Sequence, residues 1–267
     1  MIKEMSFWKW LGLLVAGFLL ATLMYGLAGT VDLLPKNLAY CVMCLMACAA
    51  MVGLYALFVR WFEGAWPQDL PLKKQPPHTA LGLCVGLGYF VVVIGIMALA
   101  GSYKVIETGM PVRELFCAFF YFGIVAVGEE IIFRGVVFRW IDQRWGFPAA
   151  LAASALIFGF VHIINPGATL WSSVAIAIEA GLLLGAAYKW AGTLWFPIGI
   201  HWAWNFSQGN IFGFLVSGQD AGQSLLHASI QGPDWLTGGS FGAEASVIAV
   251  VVGSAVSAWL VYRIYKR

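Results

Sequence analysis

The stretch LFCAFFYFGIVAVGEEIIFRGVVF, Leu115 to Phe138, decides how the chain is read. It is long enough to cross a bilayer core as one helix, which takes about 20 mainly apolar residues. Yet it carries Glu129, Glu130 and Arg134. Ionised side chains are costly at that depth, so each needs a partner or a task.

The rest of the chain has the same apolar character. Of 267 residues, 61% are hydrophobic and 10% are charged, with a mean hydropathy of +0.84. That is too little charge to coat a soluble globule of this size. The expected fold class is therefore all-α, a polytopic membrane protein of about eight transmembrane helices with its site in the helical core. The spans are expected at Trp10 to Ala28, Leu38 to Val59, Thr79 to Ala100, Leu115 to Phe138, Pro148 to Ile164, Trp171 to Tyr188, Leu194 to Val216 and Ala245 to Tyr262. The first follows a basic start and runs on without a small-residue cleavage pattern, which reads as an uncleaved span.

Lys and Arg in alternate loops fix the orientation. With the N-terminus inside, Lys3, Lys9, Arg60, Lys73, Lys74, Arg139, Arg144, Lys189, Arg263, Lys266 and Arg267 fall on the inner side. Only Lys36, Lys104 and Arg113 fall outside. Both termini are thus expected in the cytoplasm, and the Ala, Gly and Trp-rich composition reads as that of a bacterial cytoplasmic membrane protein. Topology accounts for the basic residues, so no nucleic-acid partner is expected; membrane lipid is. Trp8, Trp10, Trp61, Trp66, Trp140, Trp145 and Trp190 fall near expected interfaces, as an aromatic belt would.

The Pro-rich WPQDLPLKKQPPH, Trp66 to His78, reads as a linker. The Gly and Ser-rich segment from Ser217 to Ala243 reads as an outer loop. No internal repeat is visible. Cys41, Cys44 and Cys48 in YCVMCLMAC lie in an apolar span, where cysteine serves as a small packing residue rather than a redox centre.

Ionisable residues inside expected spans are Glu129, Glu130, Arg134, His162, Glu179 and His201, with the amide Asn205 beside them. On a helix, residues four apart share a face, so Glu130 lies beneath Arg134 and can neutralise it, while Glu129 points elsewhere and stays available. The turn at RWGFP, Arg144 to Pro148, is nearly equidistant from Glu129 and His162, which places the two at one depth. His201 and Asn205 are again four apart. A base, its partner and two donors are what water-mediated hydrolysis of an amide requires.

At these residues the chain resembles the CAAX protease and bacteriocin-processing family of intramembrane endopeptidases, which includes the Ras-converting CAAX prenyl endopeptidase. Its three motifs stand in order: EExxxR at Glu129, Glu130 and Arg134; FxxxH at Phe158 and His162; HxxxN at His201 and Asn205. The likeness runs from Glu114 to Phe206. It implies that Glu129 and His162 activate a water, and that His201 and Asn205 form the oxyanion site. It also implies a catalytic core at 111–210, preceded by N-terminal spans and the Pro-rich loop at 1–110 and followed by an outer loop and last helix at 211–267.

The implied substrate is a membrane-associated or lipidated peptide or protein, reaching the site from the cytoplasm or laterally from the bilayer. Family members have also been labelled metalloproteases, and Glu129, His162 and His201 are the residues that would ligate zinc. The chain has no HExxH, and Asn205 is a poor zinc ligand, so no cofactor is favoured. Glu179 departs from the family's apolar pattern; it is expected to support the site by accepting a hydrogen bond from His201 or Arg134. Glu244, His78 and His227 are given no role. The alternatives are a non-catalytic bacteriocin-immunity or scaffold membrane protein, and a proton-coupled transporter using buried Glu and His as relays. The latter expects repeats that are not found.

Overall fold

The computed structural model describes residues 7–267; Lys3, and the side chains of Trp8, Lys9 and Trp10, lie outside what it describes. Eight long helices follow one another: α1 (Phe7–Asp32), α2 (Leu38–Glu63), α3 (Gln75–Leu99), α4 (Val112–Trp145), α5 (Phe147–Val161), α6 (Leu170–Ala191), α7 (Trp195–Phe206) and α8 (Val247–Tyr265). Seven of them, all but α7, are long and apolar enough among the described residues to cross a membrane. The chain is an all-α integral membrane protein, as its composition requires.

The seventh expected span is shorter than the sequence implied. From Trp195 the helix continues past Phe206 only through a wide turn at Ser207–Ile211 and does not reach Val216. Its polar side chains end it: Gln208 donates to the Leu215 carbonyl, and Asn210 donates to the carbonyls of Ala221 and Gln223. Irregular backbone at that depth is tolerated where protein satisfies it or where it lines a cavity. A helix enclosed by its neighbours need not match the bilayer thickness either, and most of α7 is buried.

Helix α3 starts earlier than expected, at Gln75, because Pro76 and Pro77 occupy its first turn, where missing N–H groups cost nothing. It crosses α7 at backbone contact. A Cβ added at Gly82 or Gly86 would run into the carbonyl of Phe196 or Ile200, the small-xxx-small logic of packed membrane helices. Similarly, Gly253 lets α8 press on the backbone of Glu179.

Wide turns with π-type bonding interrupt three helices at Ile131–Phe138, Ala177–Gly181 and Ser207–Ile211. Such insertions are frequent at functional sites.

Three local expectations need correction. The Pro-rich segment is pinned rather than a free linker: Asp69 accepts the hydroxyls of Tyr55 and Tyr188 at 2.9 and 2.8 Å, and its carbonyl accepts the Leu194 amide. The segments before α4 and before α8 form a small antiparallel sheet, β1 (Tyr103–Thr108) with β2 (Leu226–Ile230), where β-branched and alternating residues supply the pairing. His227 sits on that sheet and bonds the Gly109 carbonyl. Trp140 is not in the interfacial belt; it is buried beside Phe58 and α1, its indole N–H donated to Glu63, whereas Trp61, Trp66 and Trp145 are exposed. The cysteines are all unpaired, and Cys41 and Cys117 pack sulfur to sulfur at 3.8 Å.

Candidate active site

Four successive helices, α4 to α7, and their neighbours enclose one cavity of about 920 Å³, lined by Glu129, His162, Glu179, His201, Asn205 and Glu244 among others. Each expected site residue except the Glu130 and Arg134 pair therefore meets the same space. That pair lies behind its wall.

Glu130 and Arg134 are both fully buried, with the guanidinium Nη1 2.7 Å from Glu130 Oε1. The guanidinium also lies over the Phe158 ring, 4.5 Å from its centroid. The four-residue spacing predicts this contact, and it survives the π-type turn that begins at Ile131. What spacing does not show is that the same Oε1 accepts the Nδ1–H of His201 at 2.8 Å. Glu130 thus orients His201 as well as neutralising Arg134. The opposite ring nitrogen, Nε2, faces Glu129 Oε2 at 3.8 Å.

Glu129 is not wholly unpaired. Its Oε1 accepts the Tyr25 hydroxyl at 3.3 Å, and its Oε2 is buried without a hydrogen-bond partner. His162 ends α5, where the last helical carbonyls lack amide partners. Its Nδ1 lies 2.7 Å from the Phe158 carbonyl, which can only accept. The proton is therefore on Nδ1, leaving Nε2 with its lone pair. Phe158 stands 5.0 Å from the His162 ring and 5.9 Å from the His201 ring, edge-on to both. Asn205, on α7 one turn beyond His201, has no hydrogen-bond partner among the described residues.

Residues 111–207 match the family model described as type II CAAX prenyl endopeptidase Rce1-like. The segment is Rce1-like. The resemblance drawn from the three motifs is borne out over that range, and no curated protein and no solved structure matches the chain. The Rce1-like segment supplies α4 to α7, while α1, α3 and the turn before α8, which lie outside the match, add Tyr25, Tyr89 and Glu244 to the site.

Glu179 has a different partner from the one expected. It is fully buried, and its Oε2 accepts the Tyr89 hydroxyl at 3.0 Å rather than a bond from His201 or Arg134. Tyr89 comes from α3, and its one hydroxyl proton is shared between Glu179 and the Ala249 carbonyl. Because α8 presses on its backbone, Glu179 is steered towards α3. Glu244, expected to be without a role, is buried in the cavity wall and accepts the amide of Ser217. Ser217 holds a left-handed φ of 48°, strain of a kind that collects at functional sites. Burial pushes the Glu244 carboxyl up to about 7, against the Ser217 amide and Trp204, which hold its charged form.

Sequence reasoning missed Tyr25, Tyr89 and Glu244. Tyr25 lies in a run of apolar residues that carries no signal of its own. Glu244 stands at a helix entrance, where acids are common. Only Glu179, an acid amid aliphatic residues, announced itself.

Among the described residues, no three His, Cys, Asp or Glu side chains are grouped to hold a metal ion. Glu129 Oε2 and His201 Nε2 are 3.8 Å apart, and Nδ1–H of His201 is given to Glu130.

The cavity mouth is formed by Asp32, Lys36, Arg113 and Glu114, at the C-terminus of α1, the turn before α2 and the N-terminus of α4. This is the end opposite Arg60, Lys74, Arg144 and Lys189.

Proposed function

We propose that the chain is an intramembrane endopeptidase that hydrolyses peptide bonds of membrane-associated or lipidated peptides with a water activated by Glu129 and His162. The observation that carries this reading is the single cavity onto which Glu129, His162, His201 and Asn205 all open, within an Rce1-like segment.

Glu129 takes the proton of the attacking water and returns it to the leaving amine. Its free, buried Oε2 is the accepting atom. His162 Nε2, left unprotonated by the bond to Phe158, orients the same water. As the carbonyl becomes tetrahedral, its oxygen gains charge that preorganised donors stabilise. Asn205 supplies an amide N–H. His201, oriented by the Nδ1–H it gives to Glu130, presents Nε2 beside the same carbonyl oxygen. Tyr25 fixes the other oxygen of Glu129.

Both termini are assigned to the cytoplasm, and substrate enters from the outer face or from the outer leaflet. The basic helix ends and the position of the mouth support this.

Cleavage of a membrane-peptide library by the detergent-solubilised chain tests the reaction. Products that fall about 10²-fold or more in rate with Glu129→Gln, and persist in strong chelator, are expected. Absence of any Glu129-dependent product overturns the peptidase reading. Activity abolished by chelator and restored by zinc overturns the metal-free mechanism.

A further inference from the structure

The cavity holds more acid than hydrolysis uses. At the mouth the charges match: Lys36 pairs with Asp32, and Arg113 lies 4.0 Å from Glu114. Deeper, Glu129, Glu179 and Glu244 line the same space, and none has a lysine or arginine partner among the described residues.

An acidic lining by itself identifies no ligand. Glu179 adds an independent observation: it is 0% exposed, yet its Oε1 is buried with no hydrogen-bond partner while Oε2 is held by Tyr89. A buried carboxylate oxygen without a donor is destabilising, and here the residue borders a cavity large enough to deliver one. Beside it, Trp204 stacks on Tyr89 with ring centroids 4.2 Å apart, and Trp204 also lines the cavity. Paired carboxylates bordering a cavity are the chemistry that holds a positively charged nitrogen. Glu244, near enough to Glu179 to interact electrostatically, completes the group and is held by the strained Ser217.

We propose that Glu179 and Glu244 form a subsite that binds a cationic nitrogen of the substrate peptide, a lysine or arginine side chain or a free amino terminus, next to the oxyanion residues His201 and Asn205. The identity of the ligand as a peptide rests on the peptidase reading above; its charge does not. Bound there, the cation gives Glu179 Oε1 its missing donor and neutralises two carboxylates that otherwise repel each other. It also favours the ionised form of Glu244, whose carboxyl sits at about 7. The groups facing Glu244 are Glu179, His201, Tyr89, Trp204 and Ser217. Cationic peptide should accordingly bind more tightly as pH rises through about 7.

The test uses the full chain in detergent with Glu129→Gln, so that binding is read without turnover. The probes are an apolar peptide, labelled at its C-terminus for fluorescence anisotropy, with one internal lysine or its norleucine isostere, each with a free or acetylated amino terminus. The expected result is a preference of about tenfold for the cationic forms, reduced to near unity when Glu179→Gln and Glu244→Gln are added. If only the lysine matters, the nitrogen is a side chain; if only acetylation matters, it is the amino terminus; either upholds the subsite. Equal binding of charged and neutral peptides, or a preference surviving both substitutions, overturns it. Should Glu179→Gln not fold, Glu244→Gln alone must both lower the preference and remove its rise with pH. Charge-blind binding with intact Glu129-dependent cleavage refutes the subsite alone, whereas charge-selective binding without cleavage refutes the peptidase alone.

Discussion

Glu130 illustrates how one carboxylate can serve two ends. Its Oε1 receives Arg134 and His201 together, all three groups being buried. Removing either charge has different consequences. Arg134→Ala strands a buried carboxylate and is expected to cost about 3–5 kcal/mol, read as a large fall in unfolding temperature in detergent. Glu130→Gln keeps the volume but not the acceptor that holds Nδ1–H of His201. Activity should then fall by more than the stability loss explains, seen in kcat rather than KM, and an unchanged kcat would contradict the orienting role. Tyr25 is 51% exposed, so Tyr25→Phe should barely affect stability, while lowering kcat/KM up to about tenfold by freeing Glu129. The division between Glu129 and Glu130 was legible from spacing, because four residues on a helix fix a face. The partner of Glu179 was not: Tyr89 lies 90 residues away, and nothing local selects it over His201.

Among the elements, α3 and α7 matter most to the site although only α7 carries its motif. Gly86 meets the carbonyl of Ile200, the residue before His201. Gly86→Ala is expected to push α7 away, lowering both stability and activity; a variant with wild-type unfolding temperature and kcat would show that the crossing does not position His201. The conservative control is Gly88→Ala, at a position open to space on the same helix, which should change neither. The π-type turns follow Glu130, surround Glu179 and follow Asn205. Hydrophobic periodicity does not reveal them, since a single extra residue per turn is invisible in a helix that is apolar on every side. The early end of α7 has the same origin: Gln208 and Asn210 look like ordinary polar residues until their partners across the loop are known.

At the scale of the whole molecule, the basic helix ends and the cavity mouth lie on opposite sides. Labelling in intact cells tests the proposed topology. Asp220→Cys, beside the cavity, should react with an impermeant maleimide added outside, and Lys74→Cys only after the membrane is permeabilised; the reverse pattern would open the site to the cytoplasm. Composition and the lengths of apolar runs were enough to determine an all-α membrane protein, and three spaced motifs were enough to bring out its Rce1-like segment. Both follow from rules that act along the chain: the thickness of a bilayer and the pitch of a helix. Only tertiary structure decided that Glu130 holds His201, that Tyr89 holds Glu179, and that Tyr25 and Glu244 reach the cavity from outside that segment. Those contacts depend on how closely helices approach one another, which glycines such as Gly86 and Gly253 permit but do not specify, and on which buried polar atoms find donors once they have.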